Sequence, residues 1–494
     1  MKTTVQLLCF LFLSISMNAQ NGLPTDYLSS EFHKGRRDAL RAKMPKNTVA
    51  VFFANAERNR ANDVNYVYHQ DPDFYYLTGY KEPNAVLVIF SDDQTDEHGE
   101  SYNELLYVQK KNELAEQWTG KRLGIEGAEQ RLGFKMAFNG EDFIKKGLNF
   151  TTFDAVLFDE FKNDYRDSKR DDADLYDLIQ AFKSQINYTE TTVVSGDKMD
   201  VELNQNTNML QEKTVTVDNE TLTKLMAGLR EIKTDDEMVL LTKAVRISAM
   251  GQREVMKAMH VGMSEAEIQG IHEYVFKKYG SEYEGYPSIV GAGNNGCVLH
   301  YIENSKIKVD NDLVLMDLGA EYHGYTADVT RTIPANGTFN PEQKRIYDLV
   351  YNAQEAGIAA AVIGNNSGST DTAARNVVYE GLIALGIAKN DDEARRYFPH
   401  GTSHHIGLDV HDTNLRGAFK PNMVITVEPG IYIPEGSPCD KKWWGIAVRI
   451  EDDVLITENG PIVLSAEAPR KSEDIEALMK DTSPLGSLQL PDLD

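Results

Sequence analysis

Short apolar runs and amphipathic segments alternate along the first two hundred residues of the chain. Strand patterns lie at 48–54, 85–90, 105–108 and 155–158, and helix patterns lie at 29–44 and 175–182. The first run, TVAVFFA, is rich in β-branched and aromatic residues, which fit a pleated, half-buried surface. Strands that alternate with helices predict a mixed α/β domain in this half of the chain.

The second half repeats one order of elements: two helices, a histidine-bearing loop, then strands. Thr234 and Glu237 have the spacing of a capping box that opens the first helix, and Ser264 opens the next, which stops at Gly280. The second copy comprises helix patterns that begin at 341 and 371 and strand patterns at 423–427 and 446–455. Two facing copies would bring the carboxylates of their strands to one central seam, so this half is predicted to be an α+β domain.

A polar segment without periodicity, residues 200–219, separates the two halves. We predict an N-terminal domain over 20–215, a second domain over 220–482 and a C-terminal tail over 483–494. Residues 1–19 combine the positive Lys2 with a short apolar run and end at Ala19, which is typical of a signal peptide. The chain is therefore expected to be exported, to a periplasm or to the medium.

The stretch 313–334, LVLMDLGAEYHGYTADVTRTIP, holds two aspartates in a predicted hairpin. Folding it about Tyr322–His323 places Asp317 directly opposite Asp328, with Cβ atoms about 4.5–5.5 Å apart. Two carboxylates at that distance repel each other and need a cation or a shared proton. An ordinary hairpin with two solvent-exposed aspartates is the alternative.

Further ligand-type residues follow in the second copy and favour the cation. Glu428 ends the run VITVEPG, Glu451 lies in AVRIEDDV, and His404 lies in HGTSHHIGLDVHD. With Asp317 and Asp328 they make four carboxylates and one imidazole, an oxygen-dominated set whose charge calls for about two divalent cations. Manganese or cobalt suits this set and zinc is compatible with it.

Composition narrows the classes of partner. The chain has 494 residues and a net charge of −25 with no basic cluster, which disfavours nucleic acid. No segment is long and apolar enough for a membrane span. Cys297 and Cys439 could form one disulfide, but neither lies in a CxxC pair that would hold zinc. The segment 291–296 matches G-x-G-x-x-G, but no amphipathic helix follows it, so we predict a loop and no nucleotide-binding site.

Four segments resemble the motifs of the pita-bread metallopeptidases, and among them aminopeptidase P (Xaa-Pro aminopeptidase): DLGAEYHGYTADVTRT, HGTSHHIGLDVHD, TVEPGIY and VRIEDD. The upstream segment HQDPDFYYLTGYKEPNAVLVI is similar to the N-terminal domain of that group. The resemblance covers essentially the whole chain after the leader. It implies a mixed α/β domain followed by a pita-bread catalytic domain, a duplicated helix-helix-strand fold.

The resemblance also implies roles for the five ligand-type residues. Asp317 would chelate one metal ion, while Asp328 and Glu451 would bridge two. His404 and Glu428 would complete the coordination of the other ion. Two cations roughly 3.5–4 Å apart convert a bridging water to hydroxide at neutral pH, and Glu428 would be the general base that relays its proton.

Five more residues match active-site positions of the resembling family. His300, in the context LHY, and His411, in DVHD, match substrate-side histidines, and His400 matches a further active-site histidine. Arg449 and Tyr432 match positions that orient a ligating carboxylate. Two other histidines of the second half, His405 and His323, have no counterpart and are expected to be bystanders.

The implied activity is removal of the first residue from peptides that have proline second. Prolidase, a Xaa-Pro dipeptidase of the same family, shares every ligand and stays an alternative, although the upstream segment favours aminopeptidase P. Methionine aminopeptidase is disfavoured because it is normally cytosolic and lacks a large N-terminal domain. A non-catalytic peptide-binding relative would typically lose metal ligands, whereas all five are present here. The family also implies a homo-oligomer, a dimer or tetramer, for which the sequence shows no interface signature.

Overall fold

The computed structural model describes residues 24–168, 172–188 and 215–487. The predicted signal peptide and most of the predicted C-terminal tail lie outside these residues. Within them, no helix is long and apolar enough to cross a membrane.

The first half of the chain forms one sheet flanked by helices. Its strands are β1 (Thr48–Phe53), β2 (Asn59–Ala61), β3 (Val64–Asn65), β4 (Val86–Thr95), β5 (Ser101–Val108), β6 (Ala137–Asn139), β7 (Ala155–Leu157) and β8 (Val217–Asp218). Its helices are α1 (Ser30–Arg41), α2 (Pro72–Thr78), α3 (Glu113–Thr119), α4 (Gly124–Leu132), α5 (Gly140–Lys146) and α6 (Leu175–Gln185). The six-stranded sheet has the order β6-β5-β4-β1-β7-β8, and β2 and β3 form a separate hairpin.

The central strand β1 shows why this sheet is covered on both faces. Side chains alternate along a strand, so Val49 and Val51 face one apolar cluster while Ala50 and Phe52 face another. All four are buried. A strand that is apolar on both faces must lie inside a three-layer domain, as the alternation of strands and helices predicts.

The second half contains two layered units that face each other. Its helices are α7 (Asn219–Arg230), α8 (Asp235–Ala258), α9 (Glu265–Lys278), α10 (Pro341–Ala360), α11 (Ser367–Ala384), α12 (Asp391–Ala394) and α13 (Ser472–Leu478). Its strands are β9 (Tyr283–Glu284), β10 (Ile289–Ala292), β11 (Leu313–Asp317), β12 (Ala320–Tyr322), β13 (Tyr325–Thr326), β14 (Thr330–Pro334), β15 (Val424–Val427), β16 (Gly430–Ile433), β17 (Ile446–Arg449), β18 (Asp452–Thr457) and β19 (Gly460–Val463). The sheets have the orders β10-β11-β14, β13-β12-β9, β15-β18-β19 and β16-β17.

The long helices begin where their caps predict. Thr234 and Glu237 exchange the two hydrogen bonds of a capping box at the start of α8. Asn340 makes the same reciprocal pair ahead of α10, with Pro341 at the first helical position. The fourth long helix, α11, begins at Ser367, before the predicted 371, because Asn366 caps it there.

The register predicted for the aspartate hairpin is wrong by one residue at its turn. The turn is His323–Gly324, with φ of 50° and 91°, so Tyr322 pairs with Tyr325. Two positive φ values are required by the two-residue turn that matches strand twist, and Gly324 supplies one at no steric cost. Asp317 consequently pairs with Thr330 across β11 and β14, and Asp328 lies two residues before that pair.

The strand predicted over 446–455 is two strands in different sheets. β17 pairs with β16, while β18 pairs with β15. Ile450 and Glu451 lie in the break between them. The apolar run is continuous in sequence because both strands are buried, so only the packing shows where the chain changes sheets. The segment 291–296 forms the end of β10 and a short 3-10 helix, Gly293–Cys297, before the His300 loop.

Candidate metal centre

The four predicted carboxylate ligands all lie at strand ends in the seam between the two units. Asp317 is the last residue of β11, and Glu428 directly follows β15. Glu451 stands between β17 and β18, and its backbone N–H donates to the carbonyl of Thr330 at 3.1 Å. Asp328 precedes β14. The duplicated architecture therefore brings residues that are more than one hundred positions apart to one place.

Asp317 and Asp328 meet on a shared phenol. The hydroxyl of Tyr286 lies 2.6 Å from Oδ1 of Asp317 and 2.5 Å from Oδ1 of Asp328. The predicted proximity of the two aspartates thus holds, although they are not cross-strand partners. Sequence reasoning missed Tyr286, because the residue lies in the loop ahead of β10 and no spacing connects it with either aspartate.

Arg449 contacts the other carboxylate oxygen of Asp317. Its Nη2 donates to Oδ2 of Asp317, and its Nη1 lies 2.9 Å from the hydroxyl of Tyr432. Burial would raise the pKa of Asp317, but the charge of Arg449 and the hydrogen bonds from Tyr286 and Arg449 together outweigh burial and lower it. Thr330, which sequence reasoning also missed, donates its hydroxyl to Glu451 at 2.7 Å.

His404 faces the carboxylates with one nitrogen. Its Nε2 lies 3.5 Å from Glu428 and 3.6 Å from Asp328. Its Nδ1 lies 3.1 Å from the carbonyl of His405, which assigns the proton to Nδ1 and leaves the Nε2 lone pair for a ligand. Burial, and then the neighbouring His411, lower the pKa of His404 to about 4, so the ring is neutral at pH 7.

Without cations, the buried carboxylates of this cluster are unfavourable in their ionised form. This is consistent with the predicted binding of divalent metal ions. Burial, and then the charge of Glu451, raise the pKa of Asp328 and of Glu428 well above the usual range. Burial, and then the charge of Asp317, raise the pKa of Glu451 to about 8. Oε1 of Glu451 is buried and has no hydrogen-bond partner. Asp328, His404 and Glu451 place ligand atoms within 4.8 Å of one another, so these residues could hold a cation.

A cavity of about 620 Å³ opens onto these ligands. His300, His400 and His411 line it, and His300 and His411 are exposed at its surface. The Nε2 of His400 lies 2.8 Å from the Tyr432 hydroxyl, and its Nδ1 lies 3.6 Å from Glu428. Another part of the wall is apolar and consists of Pro287, Ile289, Leu299, Ile302 and Val410.

The two histidines predicted to be bystanders do not line this cavity. His405 is buried and makes an isolated bridge to β15. His323, in the hairpin turn, bonds Glu282 through Nδ1 at 2.6 Å and Asp26 through Nε2 at 3.0 Å. That contact connects the start of the described chain to the second half, which the sequence did not indicate.

The disulfide that the sequence allowed is not formed, since Cys297 and Cys439 are not bonded to each other.

Comparison with known proteins decides the family. The model of metallopeptidase family M24 matches residues 239–458, and that of the aminopeptidase P N-terminal domain matches residues 33–149. The Xaa-Pro aminopeptidase of Escherichia coli is 34% identical over 465 residues, 92% of this chain and 98% of that protein. The chain belongs to metallopeptidase family M24, in its aminopeptidase P branch.

Solved aminopeptidase P structures have the same fold. The aminopeptidase PepP of Pseudomonas aeruginosa matches with a TM-score of 0.78 and 32% identity, over 92% of this chain and 99% of that one. Aminopeptidase P from Escherichia coli with the inhibitor Pro-Leu gives a TM-score of 0.77 at the same identity and the same coverage of both chains. The predictions of the family, of the two-domain fold and of a hydrolytic metallo-exopeptidase are therefore confirmed. The roles predicted for individual site residues stay predictions.

Proposed function

We propose that this protein is an exported aminopeptidase that removes the first residue from peptides with proline second. The observation that carries the proposal is the convergence of four carboxylates and a neutral imidazole, His404, on one cavity with an apolar wall. Its M24 relatives in Escherichia coli and Haemophilus influenzae are named Xaa-Pro aminopeptidases.

Five residues would hold two divalent cations: Asp317, Asp328, His404, Glu428 and Glu451. When bound, the cations would acidify a water and polarise the scissile carbonyl. Manganese is the proposed ion, because carboxylate oxygens outnumber nitrogen and no thiolate is present in the set. The buried, unpartnered Oε1 of Glu451 supports a cation there.

Side chains that line the cavity would carry out proton transfer, hydrogen bonding to the substrate and orientation of Asp317. Glu428 would accept the proton of the attacking water, since its carboxylate lies between His400 and His404. His300 and His411, at the mouth of the cavity, would donate hydrogen bonds to the substrate carbonyl as charge develops on it. Arg449 would keep Asp317 ionised and correctly oriented through its contact with that carboxylate.

The apolar wall supports the proline preference. Proline lacks an N–H and has a compact apolar ring, which the wall formed by Ile289, Leu299 and Val410 could bury without leaving a donor unpaired. A free α-amine, which an exopeptidase must recognise, would be attracted by the acidic ligands.

The proposal of export rests on residues 1–19 alone, and the N-terminal sequence of protein recovered outside the cytoplasm would test it.

The first experiment compares hydrolysis of Arg-Pro-Pro, Arg-Ala-Pro and Ala-Pro, with added Mn²⁺ and with chelator. Release of arginine from Arg-Pro-Pro, with little attack on the other two and loss of activity with chelator, is expected. A preference for Ala-Pro would make the protein a prolidase with the same centre. Cleavage of Arg-Ala-Pro at an equal rate would refute the proline preference, and full activity with the metal removed would refute the metal requirement.

A further inference from the structure

A buried ion network lies where the two domains and the His404 loop meet. Arg230, at the end of α7, donates from Nη1 to Asp73 of α2 at 2.7 Å and from Nη2 to Asp412. Lys233 donates from Nζ to Oδ2 of Asp412 at 2.7 Å. The side chains of Arg230, Lys233 and Asp412 are 7%, 1% and 1% exposed. Charges so fully removed from water are tolerated only when they are paired.

Asp412 stands at the end of the loop that supplies two active-site histidines. Its backbone N–H donates to the carbonyl of His405 at 3.0 Å, which closes the loop on itself. His404 lies just before that carbonyl, and His411 lies just before Asp412. The rings of His404 and His411 meet edge to face, with centroids 4.4 Å apart. The carbonyl of His405 thus joins Asp412 to the ring of His404, and that ring contacts the ring of His411.

At Gly407, the backbone of the loop that carries His404 and His411 packs directly against the ion network of Asp412 and Lys233. A Cβ at this position would collide with the carboxylate of Asp412 and with Nζ of Lys233. Glycine therefore allows the backbone to pass directly beside the ion pair. Burial would raise the pKa of Asp412, but the charges of Arg230 and Lys233 outweigh burial and lower it. The carboxylate is thus ionised at neutral pH.

We propose that Asp412 is a positioning residue: anchored by Arg230 and Lys233, it holds His404 against the metal ligands and His411 against the substrate cavity. The effect on substrate turnover rests on the function proposed above. The effect on metal affinity does not, because it follows from the orientation of His404 alone. Through Asp73, the same network connects the N-terminal domain to the metal centre.

The test replaces Asp412 in the full-length chain without changing its size. We expect Asp412→Asn to lower kcat on Arg-Pro-Pro by about 10–100-fold with a smaller change in KM, as partners of ligating groups typically do. Calorimetric titration of chelated protein with Mn²⁺ should show a comparable loss of affinity. Gly407→Ala, which displaces the carboxylate but removes no charge, should change both quantities in the same direction.

A buried ion pair that includes no residue of this network or of the candidate metal site supplies the matched control. Arg37 and Glu104 pair at 2.9 Å in the N-terminal domain, with side chains 0% and 13% exposed. Glu104→Gln should lower Tm in the way that Asp412→Asn does, but leave kcat and Mn²⁺ affinity at wild-type values. All measurements are made at a temperature at which circular dichroism shows each variant to be folded.

The possible results distinguish a positioning role of Asp412 from a purely stabilising one. They also distinguish failure of this proposal from failure of the proposed aminopeptidase function. If Asp412→Asn and Gly407→Ala lower only Tm and keep wild-type kcat and Mn²⁺ affinity, the positioning role is refuted. If the wild-type protein cleaves no proline peptide, the proposed function fails. In that case the Mn²⁺ affinities of the two variants, compared with Glu104→Gln, still decide the role of Asp412.

Discussion

Among single residues, Glu428 and Arg449 occupy different positions in the candidate metal centre. Glu428 lies in direct reach of the imidazoles, with its oxygens 3.5 Å from His404 and 3.6 Å from His400. Arg449 lies behind the ligands and joins Asp317 to Tyr432 through one planar guanidinium. Glu428 is a candidate for proton transfer, and Arg449 is a candidate for orienting Asp317. Variants of Glu428 should therefore lose mainly turnover, whereas variants of Arg449 should also lose metal affinity.

Glu428→Gln should reduce turnover of Arg-Pro-Pro by at least about 100-fold, because the amide cannot accept the proton of the attacking water. Metal content should be retained at least in part, since the amide oxygen can still coordinate. Steady-state kinetics and elemental analysis of the purified variant would measure both. The exposed Glu435 offers a control, as Glu435→Gln should be indistinguishable from wild type. Near-normal activity of Glu428→Gln would remove this residue from the mechanism.

Arg449→Lys should weaken Mn²⁺ binding and activity by about 10–100-fold, although the positive charge is kept. An ammonium cannot reproduce the fork that contacts Asp317, Tyr432 and Thr330 together. Titration of the chelated variant with Mn²⁺ would detect the change. Wild-type affinity in this variant would mean that charge alone, without the planar fork, orients Asp317.

At the scale of elements, the hairpin β12–β13 is held by the start of the described chain. Its turn residue His323 stacks on Tyr27 with ring centroids 3.7 Å apart and bonds both Asp26 and Glu282. Tyr27 also donates to Glu282 at 3.0 Å. We name these four residues the N-terminal clasp. It fixes the hairpin that connects the segments bearing Asp317 and Asp328.

The clasp should make stability depend on pH through Glu282. Burial would raise its pKa, but hydrogen bonds from His323 outweigh burial and lower it to about 2. A depressed folded-state pKa stabilises the protein above the ordinary carboxyl range, near pH 4.5, and this contribution disappears as pH falls towards 2. Glu282→Gln should thus cost about 1–2 kcal/mol at pH 7, after allowance for partial exposure, and only about a quarter of that near pH 2.5.

The measurement is Tm of both proteins from pH 7 to pH 2.5, and the decisive quantity is their difference at each pH. A difference that narrows as the buffer is acidified supports the charged contact. A difference that stays constant would mean that Glu282 acts through packing alone. Activity is not needed for this comparison, so the result does not depend on the metal centre.

At the scale of the whole molecule, the candidate metal centre lies where the two units of the catalytic half meet. Asp317 and Asp328 come from the first unit, whereas His404, Glu428 and Glu451 come from the second. Burial, and then the negative charges of Glu451 and Asp317, raise the pKa of Asp328, so ionising all the carboxylates is unfavourable when no cation is bound. Cations that bind both units would therefore stabilise the catalytic half as a whole.

Removal of metal with a chelator should lower Tm, and Mn²⁺ added back should raise it with concentration. At one hundred times Kd a single bound ion adds about 2.7 kcal/mol, which corresponds to about 5 °C or more for a domain of this size. Thermal denaturation followed by circular dichroism would measure it, with KCl at matched ionic strength as the control. A Tm that is independent of Mn²⁺ would contradict the proposed site.

Local patterns in the sequence were sufficient to predict most helices and strands and to propose the set of ligand-type residues. Period-two and helical patterns, together with caps such as Thr234 and Asn340, depend on neighbours within a few positions, so the helix starts and the strands follow from local chemistry. The five ligand-type residues were found because strand-end carboxylates such as Glu451 are costly without a partner.

How these residues meet follows only from the packing of the folded chain. The turn at His323–Gly324 fixed the register of Asp317, and the break at Glu451 separated two strands that read as one. Tyr286, the clasp and the network around Asp412 join residues that are 31 to 297 positions apart. Such contacts depend on the packing of buried surfaces and not on local preference, so no spacing in the sequence reveals them.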